Sequence, residues 1–76
     1  MTAVATTIPS VFDYQTGERL PGPASAALVD ASAAEHSGTG AVLAVFYGPY
    51  WVHIDPQDRA NYERRGFDVR TVYVVD

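Results

Sequence analysis

The sequence predicts a small α+β domain, and three observations carry that reading. The run AVLAVFYGPYWVHID, broken only by Gly48-Pro49, is β-branched and aromatic, the composition of two paired strands. The closing run FDVRTVYVVD alternates, with Phe67, Val69, Thr71, Tyr73 and Val75 on one side and Asp68, Arg70, Val72, Val74 and Asp76 on the other. Two further stretches, one on each side of the strand pair, carry helix punctuation, with Pro at the start and Gly at the end. With a short extended opening, the order is β-α-β-β-α-β: a small single domain with an antiparallel or mixed sheet and two short helices on one face, ferredoxin-like as the expected topology.

In chain order, residues 1–9 read as a loose tail or an edge strand. VFDYQTGERL reads as two short extended pieces around Gly17, the residue able to take the positive φ of a tight turn. PGPASAALVDASAAEHSG reads as the first helix, its stripe formed by Ala24, Ala27, Leu28, Ala31 and Ala34. That stripe is nearly all Ala, so the helix can approach a sheet closely while contributing little area beyond Leu28. If Gly48 and Pro49 form the loop of the next hairpin, Tyr47 faces Tyr50 and Val45 faces Val52 on one side. On the other side Phe46 then faces Trp51 and Ala44 faces His53, and a one-residue slip would exchange the two sides. Asp55-Pro56-Gln57-Asp58 has the chemistry of a helix start, and Arg64-Arg65-Gly66 that of a helix end.

Composition narrows the function classes. Seventy-six residues make one domain with a thin core, since a chain of this size buries only about 60% of its unfolded surface. The absence of Cys removes disulfides and thiolate metal sites and fits a reducing, cytoplasmic setting. The opening MTAVATTIPS has no basic region and too short an apolar run for a signal peptide or membrane span. Net charge is −4 with no Lys, which disfavours direct nucleic-acid binding. Residues 1–40 hold Asp13, Glu18, Asp30 and Glu35 against Arg19 alone, so most of the acidity lies in the first half.

No catalytic constellation stands out, no cofactor is expected, and the chain reads as a protein that is not an enzyme. His53 and Asp55 in H-I-D share one strand side but lack a third metal ligand nearby. The SGTG loop lacks the following Lys and helix of a phosphate loop and reads as a flexible connection. Arg64 and Arg65 read as helix C-terminal charges. The aromatic hairpin is the candidate interaction site, because helices on one side of a sheet leave one pair exposed, either Tyr47 with Tyr50 or Phe46 with Trp51. Its exposed pair serves a heterologous partner, closes a homodimer, or is covered from within the chain. On the first reading Trp51→Ala leaves a folded monomer and weakens partner binding by about 1 to 2 kcal/mol or more.

FDYQTGERL, the Ala-rich helix, SGTGAVLAV and the closing YVV together resemble small proteins of bacteriophages and other mobile elements. In those a Y-x-T-G-E-type opening precedes a short helix and a Gly-rich step into a strand; here the resemblance covers Tyr14 to Val45 and Tyr73 to Val75. Many characterised small, acidic, Cys-free members are stoichiometric inhibitors of host machinery, anti-CRISPR proteins prominent among them. The resemblance implies a non-enzymatic inhibitor that occupies a surface of a host nucleic-acid-binding complex, such as a CRISPR effector, in the host bacterial cytoplasm, without membrane or cofactor. The charge of −4, with Arg on both late elements, departs from a full duplex-DNA mimic. The expected contact set is Phe46, Tyr47, Tyr50, Trp51 and His53 of the hairpin, with Asp13 and Glu18 offering carboxylates to partner Arg residues. The alternatives are a homodimeric accessory module and, third, a small enzyme or metal-binding protein.

Overall fold

A computed structural model describes residues 9–75. The reading of residues 1–9 as a tail or edge strand therefore lies outside the described residues except for Pro9, which has no regular structure. The strands are β1 (Ser10–Asp13), β2 (Arg19–Leu20), β3 (Val42–Tyr47), β4 (Tyr50–His53) and β5 (Val69–Val75). Helix α1 (Ala26–Ala33) precedes β3, and a 3-10 turn, Pro56–Asp58, leads into α2 (Arg59–Arg64) before β5. The fold is α+β, and its five-stranded sheet is antiparallel throughout, in the order β2-β1-β5-β3-β4.

That order corrects the ferredoxin-like expectation. β5 lies between β1 and β3 and pairs antiparallel with both, so the chain end occupies the middle of the sheet. This explains its apolar alternation: Val72 is fully buried against Val42 and beside Asp13, while Tyr73 looks to the other side.

The sheet is curled, as simple lengths require. From β2 to β4 a flat sheet would span four strand spacings, about 19 Å. Yet Leu20 of β2 is only three residues from Pro23, a reach of at most about 11 Å. Pro23 already lies against β4: its carbonyl accepts from the Trp51 N–H, and the Ser25 N–H donates to the Trp51 carbonyl, both at 2.9 Å. Ala24 and Trp51 thus form a parallel bridge, and the segment Arg19–Ser25 joins the two edges of the sheet. The inside of the curl is the core, built from Val11, Leu20, Leu28, Ala44, Trp51 and Val72.

Helix α1 lies across this inner face. Ser25 caps it, its Oγ accepting from the Leu28 N–H at 3.2 Å. The helix is shorter than its Ala pattern suggests, and its buried positions are Leu28 and Ser32; Ala27 and Ala34 are exposed. Ser32 takes the inward place because its hydroxyl has work there. It donates to the Gly40 carbonyl at 2.5 Å and accepts from the Val74 N–H at 3.3 Å, closing the ladder where β3 has not yet begun.

Helix α2 ends in a Schellman motif, as Arg64-Arg65-Gly66 foretells. Gly66 takes φ +89°, its N–H donates to the Glu63 carbonyl, and the Phe67 N–H donates to the Tyr62 carbonyl. The accompanying contact is aromatic, with the Tyr62 ring edge-on to Phe67 at 5.6 Å. At the other end Asp55 occupies the cap position of the 3-10 turn, but its side chain accepts no capping hydrogen bond. Placing both helices on one face needs correction. Phe67 stacks on Tyr47, whose strand register puts it on the side opposite Ala44 and Phe46, so Tyr62 serves the outer face while α1 serves the inner one.

Candidate functional site

The hairpin register is the one read from the sequence: Ala44 pairs with His53, Val45 with Val52, Phe46 with Trp51 and Tyr47 with Tyr50. The Gly48–Pro49 bond is cis, the form in which Pro takes the third position of a tight turn. The two aromatic pairs therefore part company. Tyr47 and Tyr50 are 52% and 49% exposed on the outer face, whereas Trp51 is 1% exposed on the inner one.

Trp51 leaves the candidate contact set for that reason, and Phe46, half-buried on the same face, packs against the core. The Trp51 indole packs on the Phe46 ring at a centroid distance of 5.1 Å, and its Nε1–H donates to the Pro21 carbonyl at 2.7 Å. Both edge-facing backbone groups of Trp51 are taken by the segment Pro23–Ser25. A sequence reading cannot foresee that cover, because it depends on the curl that brings residues 21–25 round to β4. Trp51 is the largest fully buried side chain of the core and not a contact residue.

Tyr47 is exposed but braced. Its ring stacks on Phe67 at 5.3 Å with the planes 16° apart, and the Arg65 guanidinium lies 5.3 Å from the same Phe67 ring. The tip thus presents two half-exposed tyrosines on one face of the hairpin, one of them held in a stack tied to the end of α2.

The carboxylates expected beside them divide. Asp13 is buried, and its oxygens serve the fold: Oδ1 accepts from the Gln15 and Thr16 N–H groups, and Oδ2 pairs with Arg70 at 3.0 Å. The Thr16 amide above all, then Arg70, holds the Asp13 carboxyl below its ordinary range. Asp13 is therefore not displayed to a partner. Arg70 is shared with Asp68 at 2.9 Å, so that carboxylate is exposed but already paired. Glu18 and His53 are exposed, Glu18 at the β1–β2 turn and His53 at the end of β4. Among the described residues no three His, Asp or Glu side chains converge as metal ligands, and no helix is long and apolar enough to cross a membrane.

The SGTG loop holds an anion after all, and the anion is the protein's own. The Glu35 carboxylate accepts from the Ser37 hydroxyl and N–H, the Thr39 hydroxyl and N–H, and the Gly40 N–H. These donors, Ser37 foremost, lower its pKa to about 2. The connection expected to be flexible is instead wrapped round a carboxylate.

Sequence reasoning missed a second aromatic group on the outer face. Phe12 and Tyr73 stack across β1 and β5 at 5.4 Å with planes 13° apart, and Tyr14, 47% exposed, meets Tyr73 edge-on at 6.5 Å. The signal was present in the alternation of V-F-D-Y and T-V-Y-V, but only the order of strands shows that the two runs are neighbours. Beside this group lies an open cleft of about 510 Å³, lined by Pro9, Ser10, Arg19, Leu20 and the segment Pro21–Pro23. Comparison with known proteins assigns no family: no family model matches the chain, and neither curated proteins nor solved structures give a match.

Proposed function

We propose that the chain is a non-enzymatic protein-binding module whose contact surface is the hairpin tip, and that it acts as an inhibitor by occupying a surface of a larger host complex. The observation that carries this reading is the pair of half-exposed tyrosines, Tyr47 and Tyr50, fixed on one face of a hairpin whose other face is the core. Tyrosines bury much area on binding and lose few rotors, the combination that makes interface hot spots, and Tyr47 is held in place by its stack on Phe67. Strand addition is the less fitting mode. The outer edge of β4 is already paired to Pro23–Ser25, and β2 is two residues long and followed by Pro21. Contact through side chains remains.

With Asp13 and Asp68 engaged by Arg70, mimicry of a nucleic-acid backbone has little support, and aromatic contact with Glu18 as an accessory charge is the mechanism of choice. The resemblance to mobile-element proteins names the first partner class to test, a nucleic-acid-binding assembly of the CRISPR-effector kind in a bacterial cytoplasm. Tagged protein is used to capture partners from a lysate carrying such complexes, in parallel with a Tyr47→Ala/Tyr50→Ala variant, and the captured proteins are identified by mass spectrometry. The expected result is an assembly recovered by the parent and lost by the variant. Equal recovery by both, or recovery of the chain alone, would defeat the reading.

A further inference from the structure

The cleft beside β2 and the aromatic group next to it form one continuous feature. Register places Arg19, Phe12 and Tyr73 side by side in a row across β2, β1 and β5, all on the outer face. Ser10 and Tyr14 flank Phe12 on that face, and Arg19 and Ser10 also line the cleft. The cleft's volume, about 510 Å³, falls within the range of ligand sites.

Its chemistry is one-sided. Pro9, Pro21 and Pro23 have no backbone N–H, so the donors are the Arg19 guanidinium, the Ser10 hydroxyl and the few remaining amides. Arg59 and Arg70 pair with carboxylates, but Arg19 makes no ion pair among the described residues. In a chain with nine carboxylates, the outward-facing positions of the described strands carry none. An acidic group approaching the outer face meets Arg19 there, with Glu18 its neighbour in the chain at the β1–β2 turn.

We propose that this row and cleft form a second docking surface, taking an extended acidic protein segment whose carboxylate is forked by Arg19 while a neighbouring apolar side chain lies on the Phe12–Tyr73 stack. Guanidinium and carboxylate match in shape as well as charge, and the stack supplies the apolar floor. A single Arg is too few for single-stranded nucleic acid, whose affinity grows with the number of phosphates neutralised. The surface is independent of the hairpin tip. Tyr73 and Phe67, which carries Tyr47, are six residues apart along the chain, about 20 Å if extended.

The test is a titration of isotope-labelled full chain, followed by amide NMR shifts, with the blocked peptide acetyl-Leu-Glu-Leu-Glu-amide, its Gln counterpart, and oligothymidylate. The acidic peptide is expected to move the Ser10, Phe12, Arg19 and Tyr73 amides saturably. Replacing Glu by Gln in the peptide, or Arg19→Gln in the exposed arginine, should weaken binding about tenfold or more, while Tyr47→Ala/Tyr50→Ala should leave it unchanged. The proposal is overturned if the Gln peptide binds equally, if Arg19→Gln has no effect, or if no amide moves. It is also overturned if oligothymidylate alone moves these amides, or if they shift on simple concentration of the protein, which would assign the surface to nucleic acid or to a second copy.

Discussion

Replacing Trp51 by Ala should cost most of the stability of this domain. The side chain is buried to 1% exposure, and a Trp removed from water contributes roughly 150 to 250 Å², worth about 4 to 6 kcal/mol. That agrees with the range of about 3 to 5 kcal/mol measured for large aromatic-to-Ala changes in cores. The indole also satisfies the Pro21 carbonyl at 2.7 Å, which adds about 1 kcal/mol. A domain of this length has roughly 4 to 11 kcal/mol in all. Trp51→Phe keeps a ring against Phe46 but orphans the Pro21 carbonyl, so it should fall between, at about 1 to 3 kcal/mol. The assay is urea unfolding followed by far-ultraviolet circular dichroism, because the substitution removes the chain's only Trp fluorophore. A loss below about 1 kcal/mol for Trp51→Ala would refute the placement of Trp51 in the core and restore it to the surface.

Other consequences are as direct. Gly22→Ala places a Cβ 2.6 Å from the Pro49 carbonyl oxygen and 2.8 Å from Phe46 Cε1 at φ +90°, so it should destabilise by about 2 kcal/mol or more. Gly17→Ala, also at positive φ but with nothing within 4 Å, should cost only about 1 kcal/mol in the same urea assay. Glu35 has its pKa lowered from 4.5 to about 2, so its contribution to stability is complete above pH 4.5 and is lost as pH falls towards 2. Thermal melts of Glu35→Gln should therefore converge on those of the parent at the acid end of that window. Ser37→Ala removes the foremost donor to Glu35, and a carbon-detected NMR titration should find the Glu35 carboxyl pKa raised.

The local chemistry of this chain is legible and its closure is not. The Gly48-Pro49 hairpin register, the left-handed Gly66, and the turn at Gly17 all follow from residue types acting over a few positions. The placement of β5 in mid-sheet follows partly, since a long strand that is apolar on both faces must be covered from both sides, the situation of an interior strand. What the sequence conceals is the curl. Three proline and glycine residues after Leu20 read as helix punctuation, yet in space Pro21 and Pro23 receive the Trp51 indole and amide. That one connection buries Trp51 and covers the β4 edge. The fate of Asp13 is concealed for the same reason, because its partner Arg70 is 57 residues away and becomes a neighbour only through the β1–β5 pairing. Among the expected contact residues, Tyr47 and Tyr50 are the pair displayed, and parity of the hairpin told which two would travel together.

The most direct test of the account compares the equilibrium affinity of the captured partner for the parent chain and for Tyr47→Ala/Tyr50→Ala, with matched melting curves as the control for folding. The expected result is an unaltered fold and a loss of about 2 kcal/mol or more, roughly thirtyfold in Kd. An unchanged Kd in a folded double variant would contradict it and move the contact surface away from the hairpin tip.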